Sequence, residues 1–91
     1  MNRLIIPTSD TQYGDIYLLK DQVISILRTN NGVIIQTEED TENLTCSYAV
    51  SEAGSNASYN AFIEACYDAK PGGDTTVVLP EGQSITNVTL S

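Results

Sequence analysis

Two apolar runs of strand length flank the dipeptide Asn31-Gly32, and this arrangement constrains the fold more than any other part of the sequence. The first run occupies residues 23–27 and the second residues 33–37. Asparagine and glycine readily adopt the positive φ angles that a tight turn between antiparallel strands requires. The pattern therefore predicts a β-hairpin with its tip at residues 29–32.

Residues 44–50 alternate strictly, with apolar side chains at even positions and Thr, Ser or Ala at odd positions. Such a strand has one buried face, which includes Cys46, and one face that is solvated or covered by a partner. Further strand-length runs occupy residues 4–6, 16–19, 75–79 and 85–90. Pro7 ends the first of these, which we predict to be a short edge strand. Residues 15–28 fit either one long bent strand or a tight hairpin, and the sequence leaves both open.

One segment has the period of an amphipathic helix. Its apolar side chains recur at i, i+3, i+4, i+7 and i+8 and are Tyr59, Phe62, Ile63, Cys66 and Tyr67. Ser55 or Ser58 is a suitable N-cap. We expect the helix to end near Lys70, because Pro71-Gly72-Gly73 follows.

Together these patterns predict a mainly β chain with one helix packed on a bent antiparallel sheet. The chain has 91 residues, of which 41% are hydrophobic, and this is enough apolar material for one core. We therefore predict a single domain over residues 1–91. At this length we expect the sheet to close, or nearly close, into a small barrel.

The last ten residues carry no charged side chain and include the β-rich run 85–90. A terminal strand without Lys, Pro or another protecting device pairs readily with a second chain. We therefore predict a homo-oligomer, in the form of a ring built by strand-to-strand addition. In the alternative, this strand pairs within its own chain beside residues 4–6.

The sequence contains twelve Asp and Glu, four Lys and Arg and no His, for a formal net charge of -8. Without His, the usual general base and the commonest zinc ligand are missing, and no Ser or Asp lies in a recognisable catalytic motif. We expect no enzymatic activity and no cofactor. The acidic residues 38–42 lack the spacing of a calcium loop and are interpreted as a solvated loop without a metal. Cys46 and Cys66 are interpreted as buried apolar side chains.

No apolar run approaches the roughly 20 residues that span a bilayer, so we expect no contact with a membrane. The apolar run at residues 4–6 is also shorter than the roughly 7 to 15 residues of a secretory signal. We therefore expect a cytoplasmic protein in which both cysteines are reduced.

A group of basic and amide side chains at the predicted hairpin suggests a contact with nucleic acid. The candidate residues are Lys20, Arg28, Asn30 and Asn31, with Tyr17 and Tyr13 as stacking surfaces. Amides can read base edges, and a guanidinium can stack on a base. The net charge opposes phosphate binding, although a ring would gather sparse cations at one rim. In the alternative interpretation, the asparagines serve the turn and the tyrosines serve packing.

The strand regions resemble the Sm/LSm-like barrel, a small SH3-like fold, and they occupy residues 15–28, 33–37, 44–50, 75–79 and 85–90. The opening Leu-Ile-Ile-Pro-Thr at residues 4–8, the Asn31-Gly32 hairpin and the helical Tyr-Asn-Ala-Phe-Ile-Glu-Ala at residues 59–65 also resemble small proteins of marine cyanophage origin.

The Sm/LSm resemblance implies a ring of about five to seven subunits that binds RNA or single-stranded DNA through loop residues and takes part in nucleic-acid processing. For a phage-encoded protein, the expected location is the host cytoplasm. The second interpretation is a phage structural or assembly subunit that forms a ring or decorates a particle and has no nucleic-acid ligand.

Overall fold

The computed structural model describes residues 3–12, 14–38, 42–67 and 73–90. Within these ranges it contains seven strands and one α-helix, which confirms the predicted mainly β class. The elements are β1 (Arg3–Ile6), β2 (Ile16–Leu19), β3 (Val23–Thr29), β4 (Gly32–Thr37), β5 (Leu44–Tyr48), α1 (Ala57–Tyr67), β6 (Thr75–Thr76) and β7 (Ile85–Leu90). No helix in the described ranges is long and apolar enough to cross a membrane.

The strands form two sheets. In the smaller sheet, β1 is central and lies antiparallel to β2 and parallel to β6. In the larger sheet, β3, β4, β5 and β7 are antiparallel neighbours in that order. The prediction of β1 as an edge strand is therefore wrong. The chain returns to it after the helix, where Val77 N donates to Ile5 O at 2.8 Å, and both Leu4 and Ile6 are fully buried.

The chain passes from the smaller to the larger sheet at a short 3-10 turn, Lys20–Gln22. β2 pairs with β1 whereas β3 pairs with β4, so these two consecutive strands share no ladder. Residues 15–28 are thus neither one continuous strand nor a hairpin. The polar residues between the two apolar runs mark the point where the chain changes sheets.

The hairpin between β3 and β4 is confirmed, but Gly32 is needed for a different structural reason from the one predicted. The loop consists of Asn30 and Asn31, with Thr29 opposite Gly32 in the ladder. No described residue other than glycine has a positive φ, and Gly32 does not have one either. A Cβ at residue 32 would overlap the backbone carbonyl of Cys46 in β5. Gly32 is therefore required for the close approach of β4 to β5.

Helix α1 lies between the two sheets, where it contacts β3 of the larger sheet and β6 of the smaller one. Phe62 is fully buried, and Ala65 and Cys66 belong to the same core. The predicted packing of the helix on a sheet is confirmed. The predicted closure is not, because among the described residues the strands remain two separate sheets with the helix against β3 and β6.

The start of the helix and the width of its apolar stripe differ in detail from the prediction. Ser55 is at its start, where the Oγ accepts a hydrogen bond from Ala57 N at 3.3 Å. Ser58, the other predicted cap, lies inside the first turn and is fully buried. Tyr67 is 60% exposed, so the apolar stripe is narrower than predicted. The predicted end near Lys70 lies outside the described residues.

The outer edge of β7 is covered along part of its length. Ser9 N donates to Ile85 O at 2.9 Å, and Val88 N donates to Asp10 Oδ2 at 2.9 Å. The prediction of an unprotected terminal strand is therefore wrong between Ile85 and Val88, because residues of the same chain form hydrogen bonds with backbone groups at that edge. This contact resembles the alternative of pairing within the chain. The predicted ring stays a prediction.

We predict that Gly32→Ala strongly destabilises the protein. The added methyl group collides with the backbone of β5, and overpacking of this kind costs about 1–3 kcal/mol or more. Gly73→Ala is the matched control, because a Cβ there meets no heavy atom within 4 Å. Urea denaturation of the two variants measures the difference, and equal midpoints would contradict the account of Gly32.

Candidate functional site

The structure brings three of the predicted site residues, Arg28, Asn30 and Asn31, together at the hairpin tip. The backbone of the tip is held by the segment after β5. Asn31 O accepts a hydrogen bond from Tyr48 N at 2.7 Å, and Asn30 O accepts one from Glu52 N at 2.8 Å. The side chains of both asparagines are exposed and make no hydrogen bond within the described residues. Their amides are therefore available to a ligand.

Arg28 links the hairpin to the loop that precedes α1. Its Nε donates to Ser55 O at 3.3 Å, and its Nη2 donates to Glu52 O at 3.4 Å. Both bonds are long, and the residue is exposed. The guanidinium therefore supports the loop and still faces solvent.

The Glu52 carboxylate joins the start of α1 to the chain before β7. It accepts hydrogen bonds from Ser58 N at 3.0 Å, from the Ser58 hydroxyl and from Gln83 Nε2 at 2.7 Å. Gln83 also exchanges hydrogen bonds with the backbone of Val50, at 2.8 and 3.0 Å. One carboxylate thereby fixes the helix N-terminus, where negative charge is favoured, against a second segment.

These contacts make Glu52 a stronger acid than an isolated glutamate. Burial alone would raise the pKa of Glu52. The hydrogen bonds from Ser58 and Gln83, together with the positive charge of Arg28, outweigh burial and lower the pKa below its ordinary value of 4.5. Glu52 is therefore ionised at neutral pH and acts as a structural anion.

Tyr48 has the only buried side-chain polar atom in the described ranges that lacks a hydrogen-bond partner. Its residue is 8% exposed, on the inner face of β5. Burial, and next the negative charge of Glu52, raise the pKa of Tyr48 to about 12, while Arg28 opposes the rise. The phenol is therefore neutral at physiological pH, and its aromatic ring contributes to the core.

The other two predicted site residues, Lys20 and Tyr17, lie away from the hairpin tip. Lys20 Nζ donates to Thr75 Oγ1 of β6 at 2.5 Å. Lys20 precedes β3 and Arg28 is near its other end, so at about 3.3 Å per residue the strand separates them by roughly 17 Å or more. Tyr17 is on β2 in the smaller sheet. The five residues therefore do not form one surface, and Tyr13 lies outside the described residues.

Tyr17 belongs to an apolar surface on the solvent side of the smaller sheet, which we call the apolar strip. It consists of Ile5, Pro7, Tyr17, Leu19 and Val78. Tyr17 is 54% exposed, Leu19 37% and Val78 78%. Ile5 pairs with Tyr17 in β2 and with Thr76 in β6, and Val78 follows Thr76 at the strand spacing that returns to the same face. The register thus places Tyr17 and Thr76 on either side of Ile5, and Leu19 opposite Arg3. Val78 lies beyond β6, after Val77, whose N donates to Ile5 O.

Charged side chains border the strip at both ends. At one end, Arg3 Nη2 lies 2.8 Å from Asp74 Oδ2, and the Arg3 Cζ atom lies 5.3 Å from the centre of the Tyr17 ring. The hydrogen bonds from Arg3 hold the pKa of Asp74 below its usual range. At the other end, Asp15 Oδ1 accepts a hydrogen bond from Thr8 N at 3.2 Å. The strip itself carries no charge.

Two shallow clefts flank Val78. One of about 180 Å³ lies between α1 and β6 and is lined by Ala61, Ala65 and Thr76 among others. The second, of about 300 Å³, lies beside Pro7 and Leu79. The strip is thus an uneven surface in which an apolar side chain stands between two recesses.

The two cysteines are free thiols in the core, as the sequence predicted. Burial raises the pKa of Cys46 to about 12 and also raises that of Cys66. Both are therefore protonated at neutral pH. The described residues contain no group of three or more His, Cys, Asp or Glu that could hold a metal ion. Glu39 and Asp40 of the predicted acidic loop lie outside them.

Comparisons of the chain with protein-family models, with curated proteins and with solved structures find no match. The resemblance to Sm/LSm-like proteins therefore stays a prediction.

Sequence reasoning missed Glu52 and Gln83. Ser58 indicated the start of a helix, but the carboxylate that it binds lies six residues earlier, and Gln83 comes from 31 residues beyond Glu52. The apolar strip was missed as well, because it depends on the pairing of β1 with β6 across some seventy residues of sequence. Contacts between segments so far apart leave no pattern within a short stretch of sequence.

We predict that Glu52→Gln lowers stability at pH 7 and reduces the acid sensitivity of the fold. The pKa of Glu52 is lower in the folded than in the unfolded state. The carboxylate therefore stabilises the protein above its unfolded-state pKa, and this contribution is lost as the pH falls through the folded-state pKa. Thermal denaturation between about pH 7 and pH 3 should show the two proteins converging on acidification.

Glu64→Gln is the matched control, since Glu64 is an exposed glutamate within α1. A Glu52→Gln curve that runs parallel to the wild-type curve over the whole pH range would contradict this role.

Proposed function

We propose that the chain is a non-enzymatic structural subunit that assembles with copies of itself through the apolar strip. The observation that carries this proposal is the grouping of five apolar residues and Thr76 on the solvent side of one small sheet, with Tyr17 and Val78 more than half exposed. Contiguous exposed apolar surface is typical of protein–protein contacts, and aromatic residues are enriched there.

At the apolar strip, the negative charge of the chain opposes contact with a second copy less than on the acidic parts of its surface. With a formal net charge of -8, two copies repel each other over most orientations. The strip is uncharged, and at one end it is bordered by an ion pair, Arg3 with Asp74, that is neutral as a unit. The clefts on either side of Val78 provide recesses for side chains of the second copy.

We propose this contact as the assembly interface, instead of the strand addition at β7 that the sequence predicts. The edge of β7 is already occupied between Ile85 and Val88, whereas Tyr17, Leu19 and Val78 of the strip are exposed in the part of the chain that the structure describes. Assembly through a sheet face needs no opening of the monomer. We also propose a cytoplasmic location, which two buried free thiols support because reducing compartments preserve them.

We predict that Leu19→Ser weakens self-association by about tenfold or more, because an apolar side chain leaves the interface. The matched control is Leu27→Ser, in the larger sheet, where the leucine is 47% exposed against 37% for Leu19. Sedimentation equilibrium over a concentration series measures both variants. A wild-type protein that stays monomeric at every concentration, or equal weakening by the two substitutions, would refute the proposal.

Nucleic-acid binding, as part of an Sm-like assembly, is the second candidate function. It is favoured by the two exposed amide side chains, Asn30 and Asn31, next to the exposed guanidinium of Arg28. Such a tip can stack on and hydrogen-bond unpaired bases. With so few cations, binding would be weak and would depend strongly on salt.

For this candidate, we predict that the double substitution Asn30→Ala and Asn31→Ala abolishes binding of single-stranded RNA and DNA at low salt. Asn87→Ala removes an exposed amide from β7 and is the control. Fluorescence anisotropy in a salt series provides the measurement. The second candidate fails if the wild-type protein shows no binding at low salt, or if the double variant binds as the wild type does.

A further inference from the structure

The ion pair at the end of the apolar strip is exposed although it is well formed. Arg3 Nη2 lies 2.8 Å from Asp74 Oδ2, and Arg3 Nε and backbone N donate to Asp74 Oδ1 at 3.3 and 3.2 Å. The side chains of Arg3 and Asp74 are 44% and 31% exposed. Both charges therefore remain in contact with water in the monomer.

An exposed ion pair contributes little to the stability of a monomer, because water solvates each charge nearly as well as its partner does. Exchange of the partner for an equivalent charge on another molecule is therefore inexpensive. The situation changes when a second surface covers the strip. Both charges then lose water, and because one ion pair compensates this loss incompletely, a further opposite charge on the covering surface is favourable.

A surface that carries one positive and one negative group beside an apolar area is complementary to itself. In a two-fold contact, residue i of one copy meets residue j of the other, and the reverse contact occurs at the same time. Arg3 and Asp74 are side by side, at the end of adjacent strands β1 and β6. A two-fold axis that passes between them brings each guanidinium over a carboxylate of the other copy.

We propose that the strip forms a two-fold contact between two copies in which Arg3 of each copy pairs with Asp74 of the other. This inference rests on the proposed self-assembly and specifies its symmetry and its charged contacts. Arg3 keeps its position over the ring of Tyr17, so that the aromatic side chain is packed between the cation and the apolar part of the interface. Such a contact closes at two copies and does not propagate into a ring.

The test is a mixing experiment with Arg3→Asp and Asp74→Arg. Each variant alone places like charges against each other in the two-fold contact, and we expect each to associate at least about tenfold more weakly than the wild-type protein. In an equimolar mixture, the two carboxylates of the first variant face the two guanidiniums of the second. We therefore expect the mixture to recover dimers, each with one copy of each variant.

The control is an equimolar mixture of Asp74→Arg with Asn87→Asp, in which the added carboxylate lies on the larger sheet, at an exposed position of β7. In this mixture, we expect the Asp74→Arg protein not to form mixed dimers. Native mass spectrometry of the mixtures, with one variant isotopically labelled, distinguishes mixed dimers from dimers of one kind. Absence of mixed dimers between Arg3→Asp and Asp74→Arg overturns the reciprocal pairing.

The outcomes separate this inference from the function on which it rests. A monomeric wild-type protein refutes the self-assembly itself. A wild-type dimer that Leu19→Ser weakens, without recovery in the mixture, refutes only the reciprocal pairing. If charge reversal prevents folding, Arg3→Gln and Asp74→Asn replace it. Salt screens the repulsion between two copies of net charge -8, and in the wild-type protein it also screens the attraction of the reciprocal pairs. We therefore expect added salt to favour association of the protein with both neutral substitutions more than that of the wild-type protein, and equal salt dependence overturns the inference.

Discussion

Phe62 is fully buried on a helix that contacts an outer strand of each sheet, β3 on one side and β6 on the other. A small sheet closes into a barrel when its outer strands pair with each other, and here the helix contacts both of these outer strands, which do not pair with each other. The two sheets therefore share one core without sharing a ladder. As a consequence, the smaller sheet presents its own solvent side, and that side is the apolar strip.

A carboxylate reinforces this arrangement. Glu52 binds the first turn of α1 and the side chain of Gln83, and the backbone beside it holds the hairpin tip through Asn30. Helix, hairpin and the chain before β7 thus meet at one anion. Arg28 contributes to the same junction. The residues most suited to bind a ligand therefore also support the fold, whereas the apolar strip lies on the other sheet.

The sequence predicted what depends on local pattern. The alternation around Cys46 identified a half-buried strand, and the Asn-Gly dipeptide located the hairpin, although Gly32 is needed for the approach of β5 rather than for the turn. Contacts between distant segments could not be predicted. Asp10 protects the edge of β7, although Asp10 and Val88 are 78 residues apart. β6 pairs with β1, although three of the four strands of the larger sheet lie between them in the sequence. Tyr17 is predicted as a stacking surface beside the hairpin residues, yet the turn at Lys20–Gln22 puts it on the other sheet.

The most direct test of self-assembly through the strip is an isotope-filtered NMR experiment on an equimolar mixture of labelled and unlabelled protein, which detects only contacts between copies. If the copies meet at the strip, we expect intermolecular cross-peaks that involve the ring of Tyr17 and the methyl groups of Leu19 and Val78. Cross-peaks confined to the larger sheet, for example at Leu27, or their complete absence at millimolar concentration, would contradict it.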